Sequence, residues 1–274
     1  MSRPELWGVL NVTPDSFSDG GRFLEPDLAI ARGLALHRDG ARVIDVGAES
    51  TRPGAARVPV DEEIRRLSPV VAALRAEGLS ISVDTMNAAT AEAMCAMGVD
   101  IINDVSGGLA DEAMFRVIAS SDVDYVAMHW RGHSDQMDQH TDYEDVVRDV
   151  RDHLVERVSA LSAAGVPVER VWIDPGFGFS KTVEQNWQIA SRLDEVVAWG
   201  PRVLVGASRK RFLAALLPED HTTADRDEVS AQVTMVFADA GVDAIRVHEP
   251  ARHQRALDVW ESARRGELRR RSDG

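Results

Sequence analysis

Eight short apolar runs, each followed by a polar turn and then a helical pattern, constrain this chain more than any other feature. They are LWGVLN (6 to 11), RVIDVG (42 to 47), LSISVD (79 to 84), DIINDV (100 to 105), DYVAMH (124 to 129), RVWID (170 to 174), RVLVGAS (202 to 208) and DAIRVH (243 to 248). Most are apolar through the middle rather than alternating, which suits parallel strands covered on both faces. Strand, turn and helix repeating in this order is the grammar of an α/β fold. Several helical stretches stop at a glycine just before the next run, at Gly40, Gly98 and Gly241, where the left-handed conformation closes a helix. The stretch YEDVVRDVRDHLVERVSALSAAG places Val146, Val150, Leu154, Val158 and Leu161 on one helical face.

Two architectures accommodate such a repeat, a closed barrel and an open doubly wound sheet. The open sheet normally carries a glycine-rich phosphate turn after its first strand, and neither G-x-G-x-x-G nor a Walker A loop occurs. A length of 274 residues would suggest two domains at ~150 residues each, but (β/α)8 barrels reach about 250 residues as one domain. The expectation is an α/β fold, a single-domain (β/α)8 TIM barrel over residues 1–266, with a basic, disordered tail over 267–274. The net charge of −14 argues against general nucleic-acid binding, which rests on counter-charge to phosphate. No run is long enough for a membrane helix. The start, MSRPELWGVLNVTPDSF, reads as neither a secretory nor a transit signal, pointing to a cytoplasmic protein. One cysteine cannot form an internal disulfide, and Cys95 in AEAMCAMG is expected to be a buried thiol.

In a barrel the active site gathers at the C-terminal ends of the strands. Those ends supply Asn11, Asp45 with Glu49, Asp84, Asn103, His129, Asp174, Ser208 with Lys210, and Arg246 with His248. Any one of these could cap a helix. Together they mix carboxylates, amides and cations, as recognition of a polar heterocycle and an anion requires. The first loop, NVTPDSFSDGGRF, is long enough to act as a lid. The second, GAESTRPGAARV, holds Thr51 and Arg52. The sixth, DPGFGFSKT, sets two glycines among Phe177 and Phe179, allowing close backbone approach to a flat ligand. His129 and His133 have a metal-like spacing near Asp135 and His140, but Gly132 makes this a loop and no standard zinc or calcium motif appears. A magnesium ion riding on a substrate phosphate needs only one or two protein oxygens and stays possible. Of 31 basic residues only two, Lys181 and Lys210, are lysines.

Taken together, GVLNVTPDSFSDGG, ESTRPGA, SVDT, INDVSGG, MHWRG, DPGFGFSKT, GASRKRF and RVH resemble the dihydropteroate synthases, in family order, from about residue 7 to residue 248. The resemblance implies a (β/α)8 barrel and a sulfonamide-target transferase of folate biosynthesis. Its reaction joins 6-hydroxymethyl-7,8-dihydropterin diphosphate to 4-aminobenzoate, giving 7,8-dihydropteroate and diphosphate. It further implies that Asp84, Asn103, Asp174 and Lys210 form a pterin pocket lined by Met128, that Asn11 meets Mg2+, and that Thr51, Arg246 and His248 meet the diphosphate. Thr51, Arg52, Phe179 and Ser208, with Pro14 and Phe17, would surround the aminobenzoate, and Asp19 would help hold the first loop closed. Asp84, Asp174, Lys210, Arg246 and His248 would carry the catalysis, and the partners would be the two small molecules and a second copy of the chain in a homodimer.

Two positions depart from the family pattern. Ala48 stands in GAEST where glycine is commoner, tolerable if its φ is negative, and Arg211 follows Lys210 where a small polar residue is commoner. Three rival readings stay open on the residues. They are a noncatalytic paralogue, a pterin barrel that passes a methyl group to a corrinoid partner, and a barrel isomerase or aldolase using Lys210 as a Schiff-base lysine.

Overall fold

A computed structural model of the chain describes residues 2–13, 26–49, 58–132 and 140–266. Eight parallel strands close on themselves in sequence order, β1 pairing with β8. They are β1 (Glu5–Asn11), β2 (Val43–Gly47), β3 (Ser80–Asp84), β4 (Ile101–Asp104), β5 (Asp124–Met128), β6 (Val171–Asp174), β7 (Arg202–Val205) and β8 (Ala244–Val247). The helices are α1 (Pro26–Arg38), α2 (Val60–Ala76), α3 (Ala88–Ala96), α4 (Met114–Ala119), α5 (Val146–Ala163), α6 (Val183–Ser191), α7 (Leu193–Val197), α8 (Arg211–Ala214), α9 (Thr223–Ala240) and α10 (Pro250–Arg265). The TIM barrel read from the eight runs is the observed fold. No helix among the described residues is long and apolar enough to cross a membrane.

Helix boundaries follow local chemistry. Asp145 caps α5 by accepting from the N–H groups of Val147 and Arg148, satisfying donors that the first turn leaves orphaned. The predicted stripe on α5, from Val146 to Leu161, is buried as expected. Gly241 ends α9 with a left-handed φ of 89°, the conformation the sequence pattern requires. Two readings need correction. Cys95 is only half-buried, because α3 turns Ala88, Ala91 and Met94 inward and leaves Cys95 one position past the core stripe. RVLVGAS is also too long for a strand, since β7 stops at Val205 and the next three residues lead into the turn that carries Lys210.

Two apolar layers hold the barrel. A large cluster lies between strands and helices. A small one draws one residue from each of seven strands: Trp7, Val43, Ile101, Val126, Trp172, Leu204 and Ala244. Trp7 and Trp172 meet edge-to-face at 5.1 Å within it. Side chains alternate faces along a strand, so the residue two positions beyond each plug residue shares its inward direction. Those residues are Val9, Asp45, Asn103, Met128, Asp174, Gly206 and Arg246. Ser82 and Asp84 continue the pattern on β3, both buried. The polar layer of the barrel mouth therefore stands directly on the apolar plug, and strand register sets its composition.

Candidate active site at the barrel mouth

Register aligns four strand-end residues in one row, with Asn11 beside Gly47, Gly47 beside Asp84, and Asp84 beside Asn103. Met128 pairs with Asp174 on the opposite wall. Arg246 ties the row together. Its Nε donates to Asp45 Oδ2, and its Nη2 donates to Asp84 Oδ2 at 2.8 Å. Asn103 Nδ2 donates to the same Asp45 oxygen at 3.3 Å. Asp45 is fully buried and anchors Arg246 from below. Two of the five guanidinium N–H groups are thus committed among the described residues, with the remainder available to an anion.

Across the mouth, the loop after β6 folds back tightly. The Gly176 N–H donates to Asp174 Oδ1 at 2.7 Å, fixing that carboxylate. Gly176 and Gly178 have φ of 70° and 75°, open to glycine with little strain. A Cβ on Gly178 would lie 2.9 Å from Lys210 Cδ, so the missing side chain lets the Lys210 stem pass. Lys210 Nζ then sits 4.0 Å above the centre of the Phe179 ring, a cation–π contact. Phe177, two residues earlier in the same loop, is a core residue. It stacks on Phe212 at 5.7 Å and packs against Phe237 at 5.2 Å. Phe179 alone faces the mouth.

Ser208 and His248, assigned to different substrates by the resemblance, touch each other. Ser208 Oγ lies 3.0 Å from His248 Nδ1 and accepts from the His248 N–H at 3.3 Å. Arg32 on α1 donates to the His248 carbonyl at 2.9 Å and to Glu249 Oε1 at 2.8 Å. Arg209, with a left-handed φ of 63°, donates through Nε and Nη2 to Asp227 at 2.6 and 2.9 Å. A non-glycine residue in that region costs about 1 kcal/mol or more, and the bidentate pair offsets it while placing Ser208 and Lys210 on either side.

Burial sets the electrostatics. Desolvation raises the Asp84 carboxyl, with Arg246 opposing and Asp45 adding to the rise. Asp174 is pushed up to about 6 by desolvation, against the Gly176 N–H and Lys210. Lys210 is pulled down to about 8, by desolvation first and then by Arg246. His248 falls well below its ordinary value through desolvation and the nearby Arg209 and Arg246, leaving a neutral imidazole. Arg246 is raised despite its burial because Asp45 and Asp84 flank it. The mouth therefore holds carboxyls raised toward neutrality beside a lysine lowered to about 8 and a guanidinium that stays charged, a pattern that marks functional sites.

The structure brings together Asp84, Asn103, Asp174, Met128, Phe179, Ser208, Lys210, Arg246 and His248. Asn11 stands at the end of β1 on the same mouth. Its amide oxygen is a hard donor of the kind magnesium takes, and one such oxygen suffices for an ion carried on a diphosphate. Pro14, Phe17, Asp19, Thr51, Arg52, His133, Asp135 and the tail over 267–274 lie outside the described residues. Ala48 is buried and is not among the described non-glycine residues with positive φ, which are Ser180 and Arg209; its methyl group is accommodated. Two residues singled out in the sequence received no role from it. Asp45 stands among the strand-end residues, and its place two positions past the plug residue Val43 gives the period-two signal that it faces inward beneath Arg246. Lys181, buried at 8% exposure, carried only the signal of being one of two lysines.

A family model for pterin binding enzymes matches residues 7–248. The chain is 45% identical over 264 residues to a Mycobacterium leprae protein named dihydropteroate synthase, covering 93% of this chain and 92% of that one. A solved Xanthomonas albilineans dihydropteroate synthase with 4-aminobenzoic acid superposes with a TM-score of 0.89 at 40% identity, covering 96% of this chain and 93% of that chain. A structure of dihydropteroate synthase from the same organism in complex with 7,8-dihydropteroate gives 0.85 at 37% identity, with 96% and 94% covered.

Proposed function

This chain belongs to the pterin-binding enzyme family, and on that premise we propose that its barrel mouth is the active site of a dihydropteroate synthase, a transferase of folate biosynthesis. The observation that carries the reading is the single inward layer in which Asp84, Asn103, Met128, Asp174 and Arg246 stand on the apolar plug, with Lys210 above Phe179 beside it. A pterin has a donor-rich edge at its amino group and ring N–H, which suits the carboxylate of Asp174. Asp84 and Asn103 take the remaining edge, Met128 lines the slot, and Lys210 meets the ring carbonyl and ring nitrogen.

The bond that breaks joins the pterin methylene to diphosphate oxygen, and the electron pair leaves with diphosphate. The aromatic amine of 4-aminobenzoate supplies the pair for the new C–N bond and then gives up its proton. Arg246 keeps N–H groups for the departing anion. Neutral His248, held by Ser208, orients by hydrogen bonding rather than charge. A magnesium ion held by Asn11 and the diphosphate would neutralise leaving-group charge when bound. Thr51 would also meet the diphosphate, and Thr51, Arg52, Phe179 and Ser208 would surround the aminobenzoate. Dihydropterin delocalises positive charge at the methylene, so the C–O bond breaks first and Asp84 and Asp174 stabilise the cation electrostatically.

A diphosphate-release assay with magnesium tests the function. Release that appears only when 4-aminobenzoate accompanies the pterin diphosphate is expected, and release indifferent to 4-aminobenzoate would sink it. Exchange of bridging and non-bridging oxygens in unreacted substrate, without aminobenzoate, tests the dissociative order. We also propose a cytoplasmic homodimer packed through α9 and α10, whose outer faces expose Val236 and Val259.

A further inference from the structure

Lys181 is one of the two lysines in a chain that otherwise uses arginine, and its ammonium is buried under the loop after β6. Three acceptors converge on Nζ: the carbonyl oxygens of Gly176 at 2.9 Å and Phe179 at 3.0 Å, and His129 Nδ1 at 3.0 Å. A charged ammonium has three N–H donors and no acceptor, so the donor set is filled. All three acceptors are neutral, and the nearby Asp174 carboxylate offsets the buried charge only in part, without a hydrogen bond to it. Burying a cation on such terms is costly, as its pKa, drawn down to about 7 by desolvation, records. An arginine would not substitute. A planar guanidinium forks toward acceptors in one plane, whereas a compact ammonium directs its three donors around a cone.

Gly176 is the joint of this arrangement. Its N–H holds Asp174 Oδ1 at 2.7 Å, while its carbonyl receives both Lys181 and the Phe179 N–H, the latter at 3.1 Å. A Cβ there would fall 2.6 Å from the His129 carbonyl, so the turn is packed against the end of β5 with no slack. Ser180, at a φ of 48°, turns the chain so that Lys181 points back under it. Gly176, whose N–H orients Asp174, and Phe179 therefore both present their carbonyl oxygens to a single nitrogen atom.

We propose that Lys181 is a positioning residue, fixing the Gly176–Phe179 turn so that Asp174 faces the pterin while Phe179 faces the aminobenzoate. This rests on the dihydropteroate synthase reading, in which those two side chains serve two different substrates. Lys181 touches neither, and acts through the backbone that carries both.

The test compares wild type with Lys181→Met, which keeps the stem and removes every donor. Lys181→Gln, a shorter amide with two donors, and Val117→Ala, a core change on α4 away from the mouth, serve as companions. Thermal midpoints, the Kd for pterin diphosphate and the KM for 4-aminobenzoate are measured well below the lowest midpoint. Small misplacements of reacting groups carry large rate and affinity costs, so Lys181→Met should raise both constants by about tenfold and Lys181→Gln by about threefold. Val117→Ala should lower the midpoint and leave both constants at wild-type values. Unchanged constants in a folded Lys181→Met protein, or in Lys181→Gln should the methionine variant fail to fold, would overturn the proposal. So would failure of both to fold, which makes Lys181 a fold-forming residue alone. Absence of synthase activity in wild type is a separate result and removes the underlying reading.

Discussion

Arg246 on β8 and Asp84 at the end of β3 are joined across the barrel mouth by a hydrogen bond of 2.8 Å, although they stand 162 residues apart in sequence. Asp45 holds the same guanidinium from below. Removing the cation leaves two buried carboxylates facing each other. Arg246→Gln should therefore destabilise the fold by about 3–5 kcal/mol, read from urea titration at neutral pH. A loss below about 1 kcal/mol would mean that the carboxylates are satisfied without it.

The Asp174 carboxyl, raised to about 6 by burial, gives a pH signature. In the unfolded chain it ionises near its ordinary value of ~3.9, so between the two values the folded state binds more proton. Wild-type stability relative to Asp174→Asn should fall as pH rises from about 4 to about 6 and level off above, a total of about 3 kcal/mol. Denaturant midpoints of both proteins across this range measure it. A flat difference would show that Asp174 is solvated in the fold.

Lys210 supplies the opposite signature. Its pKa, lowered to about 8 by desolvation, means that the ammonium is present below that pH and discharges above it. Affinity for a pterin ligand should weaken as pH rises through about 8 in wild type. In Lys210→Ala, affinity should be lower by tenfold or more, the cost of about 1.4 kcal/mol of lost contact, and flat over the same range. Calorimetric titration at several pH values distinguishes these outcomes.

Phe177 and Phe179 separate stability from function. Phe177→Ala, emptying the site between Phe212 and Phe237, should cost about 3–5 kcal/mol. Phe179→Ala should cost far less stability while raising the KM for 4-aminobenzoate severalfold. Equal effects on stability would contradict the division of the two rings between core and mouth.

The contrast between those phenylalanines also marks where sequence reading stops. Both sit in DPGFGFSKT with glycine neighbours, and nothing local distinguishes the one that turns into the core. Asp84 and Asp174 were legible because a carboxylate closing an apolar strand is conspicuous, and the barrel because eight apolar runs leave few other ways to bury them. An apolar stretch does not fix helical phase, so the sequence places Cys95 in the core where the fold leaves it half-buried. Lys181 stands out as one of two lysines, but its role is not legible because it depends on carbonyl groups, which every residue has and no sequence pattern singles out. Arg246 looked like a cation reserved for diphosphate, and only the fold reveals that half its work is to neutralise Asp45 and Asp84.

The most direct test of synthase activity is the product itself. Wild-type protein incubated with dihydropterin diphosphate, magnesium and 15N-amino-labelled 4-aminobenzoate should yield dihydropteroate carrying the label, with one diphosphate released per product molecule by mass spectrometry and phosphate analysis. Recovery of only hydroxymethyl-dihydropterin, with the labelled aminobenzoate unconsumed, would contradict it.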